Sequence, residues 1–248
     1  MPADRQPTAE PIADLSVVIP TFESSGTLEP LLRSVVPVAG EVCVIDGQSR
    51  DQAATAARAR SHGARFARAP RGRGTQIRAG CALASRAWLL VLHADSSLPA
   101  EWAEAVRAFV AAPENRHRAA CFKLAFDEDS WPARRTAALA NLRTRLLALP
   151  YGDQGLLISR TLLDEIGGFR DLPIMEDVDI VRRIGWRKLR LLGSVIRTSA
   201  DRYRRDGWLR RSLRNGLCLT LWFAGMPPAR ILKLYETVAS TGSARPPT

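Results

Sequence analysis

The amino-acid sequence predicts an α/β fold whose central sheet has mainly parallel strands. Two observations carry this expectation. Short apolar runs (15–19, LSVVI; 41–45, EVCVI; 88–92, WLLVL) alternate with segments of helical period, and each run gives way to a polar turn. At 248 residues the chain is long enough to bury a substantial core, as one large domain or two small ones.

The elements follow in order. Residues 15–19 form a first strand closed by Pro20, and the apolar residues of 28–36 recur at helical spacing. Residues 41–45 form a second strand ending at Asp46-Gly47, after which Asp51 is placed to cap an alanine-rich helix through Ser61. A short strand over 64–69, a helix over 75–84 and the apolar strand 88–92 complete the repeat. The second half is less regular. It predicts a strand over 120–126, a helix over 133–149, the turn Tyr151-Gly152-Asp153-Gln154-Gly155 and an apolar run to Ile158. A helical pattern resumes at Asp177, a strand is expected over 187–192, and a basic amphipathic helix starts at Trp208. The expected layout is a flexible segment 1–14, a domain over 15–203, a helical extension over 204–236 and a loose tail over 237–248.

Composition narrows the function classes. Thirty-six basic against 25 acidic residues give a net charge of +11, which predicts attraction to phosphates, nucleic acid or an anionic membrane surface. Residues 1–14 have no apolar core, so no signal peptide is expected, and the longest apolar stretch, 217–226, falls short of the roughly 20 residues that span a bilayer. Cys43, Cys81, Cys121 and Cys218 form no CxxC pair, which excludes a zinc ribbon with sequence-local ligands and fits a reducing cytoplasm. With only His62, His93 and His117, there is little material for a nucleophilic triad.

In open parallel sheets ligands bind beyond the carboxyl ends of the strands, so the polar turns there are the candidate site. Asp46 can accept a hydrogen bond from a nucleobase N–H while Gly47 lets a planar ring approach, although a turn aspartate bonding its own backbone gives the same pattern. His93 and Asp95, two apart at a strand end, can meet one divalent metal; a capping Asp beside a packed His is the alternative. Arg71-Gly72-Arg73-Gly74 before a helix offers backbone N–H groups and guanidinium forks to a diphosphate, or is simply a solvated charge run. Glu176 and Asp177 at a helix start can supply a general base or merely complement the helix dipole.

Taken in order, SVVIPTFE, VIDGQSRD, LHAD and MEDVD resemble the family 2 glycosyltransferases, enzymes of GT-A fold that invert the anomeric centre of a nucleotide sugar; the likeness spans 15–203. The resemblance implies a Rossmann-like sheet of GT-A type with helices on both faces, and a donor such as a UDP-sugar. It places Pro20, Thr21, Glu23, Asp46, Gly47, Arg71, Arg73, Gln76 and Ala94 at the donor nucleotide. Asp95 would hold Mn²⁺ or Mg²⁺, with His93 standing where the first acid of the DxD motif is usual. Asp177 with Glu176 would supply the base, and Asp153, Gln154, Arg204 and Arg205 would meet the acceptor or its phosphate. Residues 71–76 look like the GRxxQ segment of a small bacterial subgroup of uncertain acceptor, and 202–208 (RYRRDGW) only loosely echo the QxxRW of processive members, so polymer synthesis is not expected.

Two alternatives stand beside this reading. A sugar nucleotidyltransferase would need a glycine-rich loop with a catalytic base behind the first strand, whereas 21–27 have one glycine and no Lys or Arg. A non-catalytic polyanion-binding module is the other, but nucleic acid is not an expected partner because Phe66 is the one aromatic among the seven arginines of 58–78. The helix from Trp208 repeats Leu209, Leu213, Leu217 and Leu221 beside Arg210, Arg211 and Arg214. It can lie on an anionic membrane at the inner face and present a lipid-linked acceptor, pack on the sheet, or form a homodimer contact.

Overall fold

The computed structural model describes residues 10–240, with side chains through 235. Its first half repeats strand and helix: β1 (Ile12–Thr21), α1 (Ser25–Val35), β2 (Ala39–Asp46), α2 (Gln52–Ser61), β3 (Arg65–Arg68), α3 (Arg73–Leu83) and β4 (Trp88–Val91). Then come α4 (Trp102–Ala111), β5 (Ala119–Phe126), α5 (Trp131–Leu147), β6 (Leu156–Ser159), α6 (Arg160–Glu165), α7 (Glu176–Ile184) and β7 (Leu189–Thr198). The described residues close with α8 (Asp201–Asp206), α9 (Trp208–Phe223) and α10 (Pro228–Ser240).

The seven strands form one sheet in the order β3-β2-β1-β4-β6-β5-β7. β1 pairs in parallel with β2 and β4, β2 with β3, and β5 with β7; only β6 runs against its neighbours β4 and β5. Register aligns Thr21 with Asp46 and Asp46 with Arg68, so the carboxyl ends of the first three strands finish level. Alternation along β1 sends Leu15, Val17 and Ile19 to one face, against α1, α4 and α5, and Val18 to the other, with side chains of α3, α6 and α7. The helices thus cover both faces. Gly80 lets α3 lie close to the sheet, because a Cβ there would strike the Val18 side chain and come 3.0 Å from Ile45 Cγ1.

Several boundaries move. Ile12 donates its N–H to Val38 O, so residues 12–14 belong to the sheet rather than to a flexible segment; residues 1–9 lie outside the described ones. β7 runs to Thr198 instead of stopping at 192, since one face of this edge strand is polar and hydropathy reads it as loop. α4, absent from the sequence reading, buries Trp102, Val106 and Phe109. α10 continues through 237–240, where a tail was expected, and 241–248 lie outside the described residues. Asp51 makes no cap on α2. Its carboxylate instead accepts from Ser25 N at the start of α1 (2.8 Å) and lies 2.6 Å from Ser49 Oγ, tying two βα turns together.

Candidate active site

The carboxyl ends of β1 and β4 and the start of α3 enclose a cavity of about 630 Å³ whose walls include Pro20, Thr21, Glu23, Arg71, Arg73, Gln76, His93, Ala94 and Asp95. A second cavity of about 310 Å³ holds Tyr151, Asp153, Glu176, Asp177, Tyr203, Arg211, Asn215, Cys218 and Tyr235. The two share Arg73, His93, Asp95, Pro173, Ser199, Arg202 and Leu232, so one continuous cleft has a larger compartment at the strand ends and a smaller one under α9.

Arg73 is the hinge between them. Its Nε bonds Glu176 Oε1, its Nη2 donates to Asp177 Oδ2 at 3.1 Å, and its Nη1 reaches His93 Nε2 at 2.7 Å. Burial opposes the Arg73 charge, but the Glu176 and Asp177 carboxylates more than offset it and hold the guanidinium protonated. Burial, then the charges of Arg73 and Arg202, push the His93 pKa well below its ordinary value, so this imidazole is neutral at pH 7. A guanidinium only donates, so Nε2 must accept and the proton is assigned to Nδ1, which faces Asp95 Oδ1 at 3.8 Å.

The expected metal pair of His93 and Asp95 is not assembled in this arrangement. With its proton on Nδ1 and Arg73 on Nε2, His93 has no lone pair to give a cation. Among the described residues no group of three His, Cys, Asp or Glu side chains is placed to hold a metal. Asp95 alone fits, in the manner of hard cations that take one or two carboxylates and complete their shell with substrate phosphates.

Besides Asp95, three acids line the smaller compartment. Glu176 is 4% exposed and its pKa is raised, by burial first and, against Arg73, by the Asp177 charge. Asp177 Oδ2 accepts from Arg73 and from Gly152 N (2.8 Å), and Oδ1 from Val178 N (2.8 Å), an arrangement set by the N-terminus of α7, where Met175 takes φ 65°. Asp153 is pushed up to about 6, by burial first, eased by Arg143 and reinforced by Asp177; its Oδ1 is buried without a hydrogen-bond partner among the described residues.

Other expected site residues sit differently. Asp46 is fully buried and its carboxylate accepts from Ser49 N (2.9 Å) and Ser49 Oγ (2.6 Å): it is the turn aspartate, not a group facing the cleft. The space over Gly47 is filled by the Gln76 amide, 3.0 Å from where a Cβ would stand, rather than left for a planar ring. Gln76 Nε2 donates to Thr21 O and Ile45 O, so it clips the two strand ends while lining the cleft. Thr21 is buried with its Oγ1 3.4 Å from Asp46 Oδ2, and Glu23 accepts from Arg50 N at 3.0 Å. Arg71 lies over the Phe22 ring, 4.5 Å from its centre, at the mouth.

On the acceptor side, Gln154 is fully buried, donating to Phe122 O and accepting from Thr144 Oγ1, and is removed from the site. Arg204 pairs with Glu128 and Asp201, Arg205 with Asp206, and neither lines the cleft. Arg202, three positions before Arg205 in the same basic run, lines both compartments instead; one turn of α8 separates the residues and the sequence could not choose between them. Tyr151, Tyr203 and Tyr235 were missed because they come from three distant elements that only the fold brings together.

Comparison with known proteins gives the context. Crystal structures of glucosyl-3-phosphoglycerate synthase from Mycobacterium tuberculosis, including one in complex with Mn²⁺, UDP and glucosyl-3-phosphoglycerate, superpose with a TM-score of 0.52 at 19% identity, over 75% of this chain and 70% of that one. The S. aureus TarS 1–349 structure gives 0.56 at 17% identity, over 81% of this chain and 63% of that one. These likenesses show the fold, a GT-A arrangement. A comparison with curated protein sequences finds no match. The profile of glycosyl transferase family 2 matches residues 16–170, more than half of the sequence, and the chain belongs to that family.

Proposed function

We propose that the protein transfers a sugar, with inversion, from a nucleoside diphosphate donor of the UDP-sugar type to a hydroxyl acceptor, with Asp177 as general base. The observation that carries this is the joined pair of compartments: strand-end residues with Arg71, Arg73 and Asp95 in one, Asp177 and its neighbours in the other, meeting at Arg73. Inversion fits such an arrangement, because the acceptor oxygen must attack the anomeric carbon from the side opposite the departing diphosphate. The structures bound to Mn²⁺ and UDP among the similar folds support the donor class.

In this reading the diphosphate lies along Arg71, Arg73 and Asp95, and the acceptor enters the compartment walled by Tyr151, Tyr203 and Tyr235. Asp177 takes the proton of the acceptor hydroxyl as its oxygen bonds to the anomeric carbon, and the bond from that carbon to the diphosphate oxygen breaks. Arg73 and Arg202, present in both compartments, face the charge that develops on the leaving diphosphate. Mn²⁺ or Mg²⁺ held by Asp95 would supply further positive charge there. Four unpaired, buried cysteines support a reducing, cytoplasmic setting.

The test is turnover of a panel of nucleotide sugars with Mn²⁺ by the wild type and Asp177→Asn. The variant is expected to lose about 10² to 10⁴ in kcat, the usual worth of a positioned base, with donor affinity kept. A variant that loses donor binding but keeps kcat moves Asp177 to the nucleotide side and removes it as the base.

A further inference from the structure

We propose that the outward faces of α5 and α9 form a docking surface for an anionic lipid bilayer. Nine of the twelve exposed large hydrophobic side chains among the described residues lie on these two helices. Leu139, Leu142 and Leu146, at i, i+3 and i+7 of α5, are 50–70% exposed, and Leu209, Leu213 and Leu217, at i, i+4 and i+8 of α9, are 53–66% exposed. These spacings draw one stripe along each helix, and the helices touch. Their inner sides are already used: α5 buries Ala133, Ala137, Ala140 and Thr144, while α9 buries Arg211, Arg214 and Cys218. Among the described residues no group covers the leucine rows, and an exposed apolar area of this kind marks an interaction surface.

Charge chooses the occupant. Neither α5 nor α9 contains a single Asp or Glu, while Arg134, Arg135, Arg145 and Arg210 stand exposed on them in a chain of net charge +11. A second copy would bring one acid-free arginine face against another across a two-fold axis, whereas anionic head groups meet the guanidinium groups as the leucines enter the acyl region. The sequence reading of α9 is corrected in one respect. Arg211 and Arg214 point inward, both bonded to Asp206 Oδ2 (2.8 and 2.7 Å), so the basic contribution comes from Arg210 and from α5, which the sequence did not single out. No helix among the described residues is long and apolar enough to cross a membrane, so the contact would be a surface one.

Co-sedimentation with phosphatidylcholine vesicles, with and without phosphatidylglycerol, tests this independently of catalysis. The wild type should sediment with the anionic vesicles at low salt and far less with neutral ones. Leu142→Glu combined with Leu213→Glu, and separately Arg135→Glu combined with Arg145→Glu, should lower the bound fraction by roughly tenfold or more. All four positions are exposed, and an unchanged melting temperature shows that each variant is folded. The proposal is overturned if the wild type stays in the supernatant at low salt, or if the leucine variants sediment as well as the wild type does. It is also overturned if sedimentation velocity finds a dimer that the leucine variants dissociate, which would make this face a self-interface.

Discussion

Asp153→Asn removes a carboxyl group of the cleft whose pKa is pushed up to about 6. In the folded protein its pKa is raised from 3.8 to about 6, chiefly by burial, and its Oδ1 has no hydrogen-bond partner among the described residues. A raised carboxyl pKa means that the folded state binds the proton more tightly than the unfolded one, so stability declines as pH rises from about 4 to about 6 and the full cost is present above that window. A displacement of about two units corresponds to about 3 kcal/mol at pH 8 and about 1 kcal/mol at pH 4.5. Asparagine carries no charge and escapes this cost. The variant should therefore melt above the wild type at pH 8, by up to about 6–12 °C at the 2–4 °C per kcal/mol expected for this chain length, and the gain should shrink by about two thirds at pH 4.5. Thermal melts of both proteins from pH 4.5 to 8 measure it. A difference that does not change with pH would show that Asp153 titrates normally and that its burial costs nothing.

Two further outcomes concern a residue that supports the cleft wall and one that lines it. Asp206 is held down to about 2: burial opposes its charge, but hydrogen bonds from Arg205, Arg214 and Arg211 outweigh it. Asp206→Ala strands the buried Arg211 and Arg214 and should cost about 3–5 kcal/mol in a denaturant titration at pH 7. Because the folded pKa is depressed, the wild-type contribution is present above about 4 and fades as pH falls towards 2. In Gly152→Ala the new methyl would stand 2.9 Å from His93 Nε2 and against the Arg73 guanidinium. It should lower turnover strongly while costing about 1–3 kcal/mol in the same titration, and a variant with wild-type turnover would show that the Arg73 contacts are incidental to the reaction.

What could be read from the sequence was what repeats with a period. Three apolar runs of four or five residues marked the central parallel strands, and the polar turns read beyond the strand ends held Thr21, Arg73 and Asp95, which line the cleft, whereas Asp177 came from the family resemblance. What could not be read was which way each polar group points. Asp46 and Asp95 both follow apolar strands, yet Ser49 closes a hydrogen-bonded turn on the first while the second faces the cleft. His93 looked like a metal ligand because its neighbour in space, Arg73, lies 20 residues away and fixes its proton only in the fold. β7 was cut short because an edge strand shows apolar residues on one face only. The exposed leucines of α5 were invisible for the opposite reason: hydropathy counts them as core, and only burial shows that they are not.

Calorimetric titration of UDP and other nucleoside diphosphates in the presence of Mn²⁺ decides whether the cleft between the strand ends and α7 is a nucleoside diphosphate site. Saturable one-to-one binding to the wild type is expected, lost in Asp95→Ala and weakened in Arg73→Ala, each variant retaining a cooperative melt. Absence of binding by any nucleoside diphosphate to the wild type, or undiminished binding to Asp95→Ala, would rule such a site out.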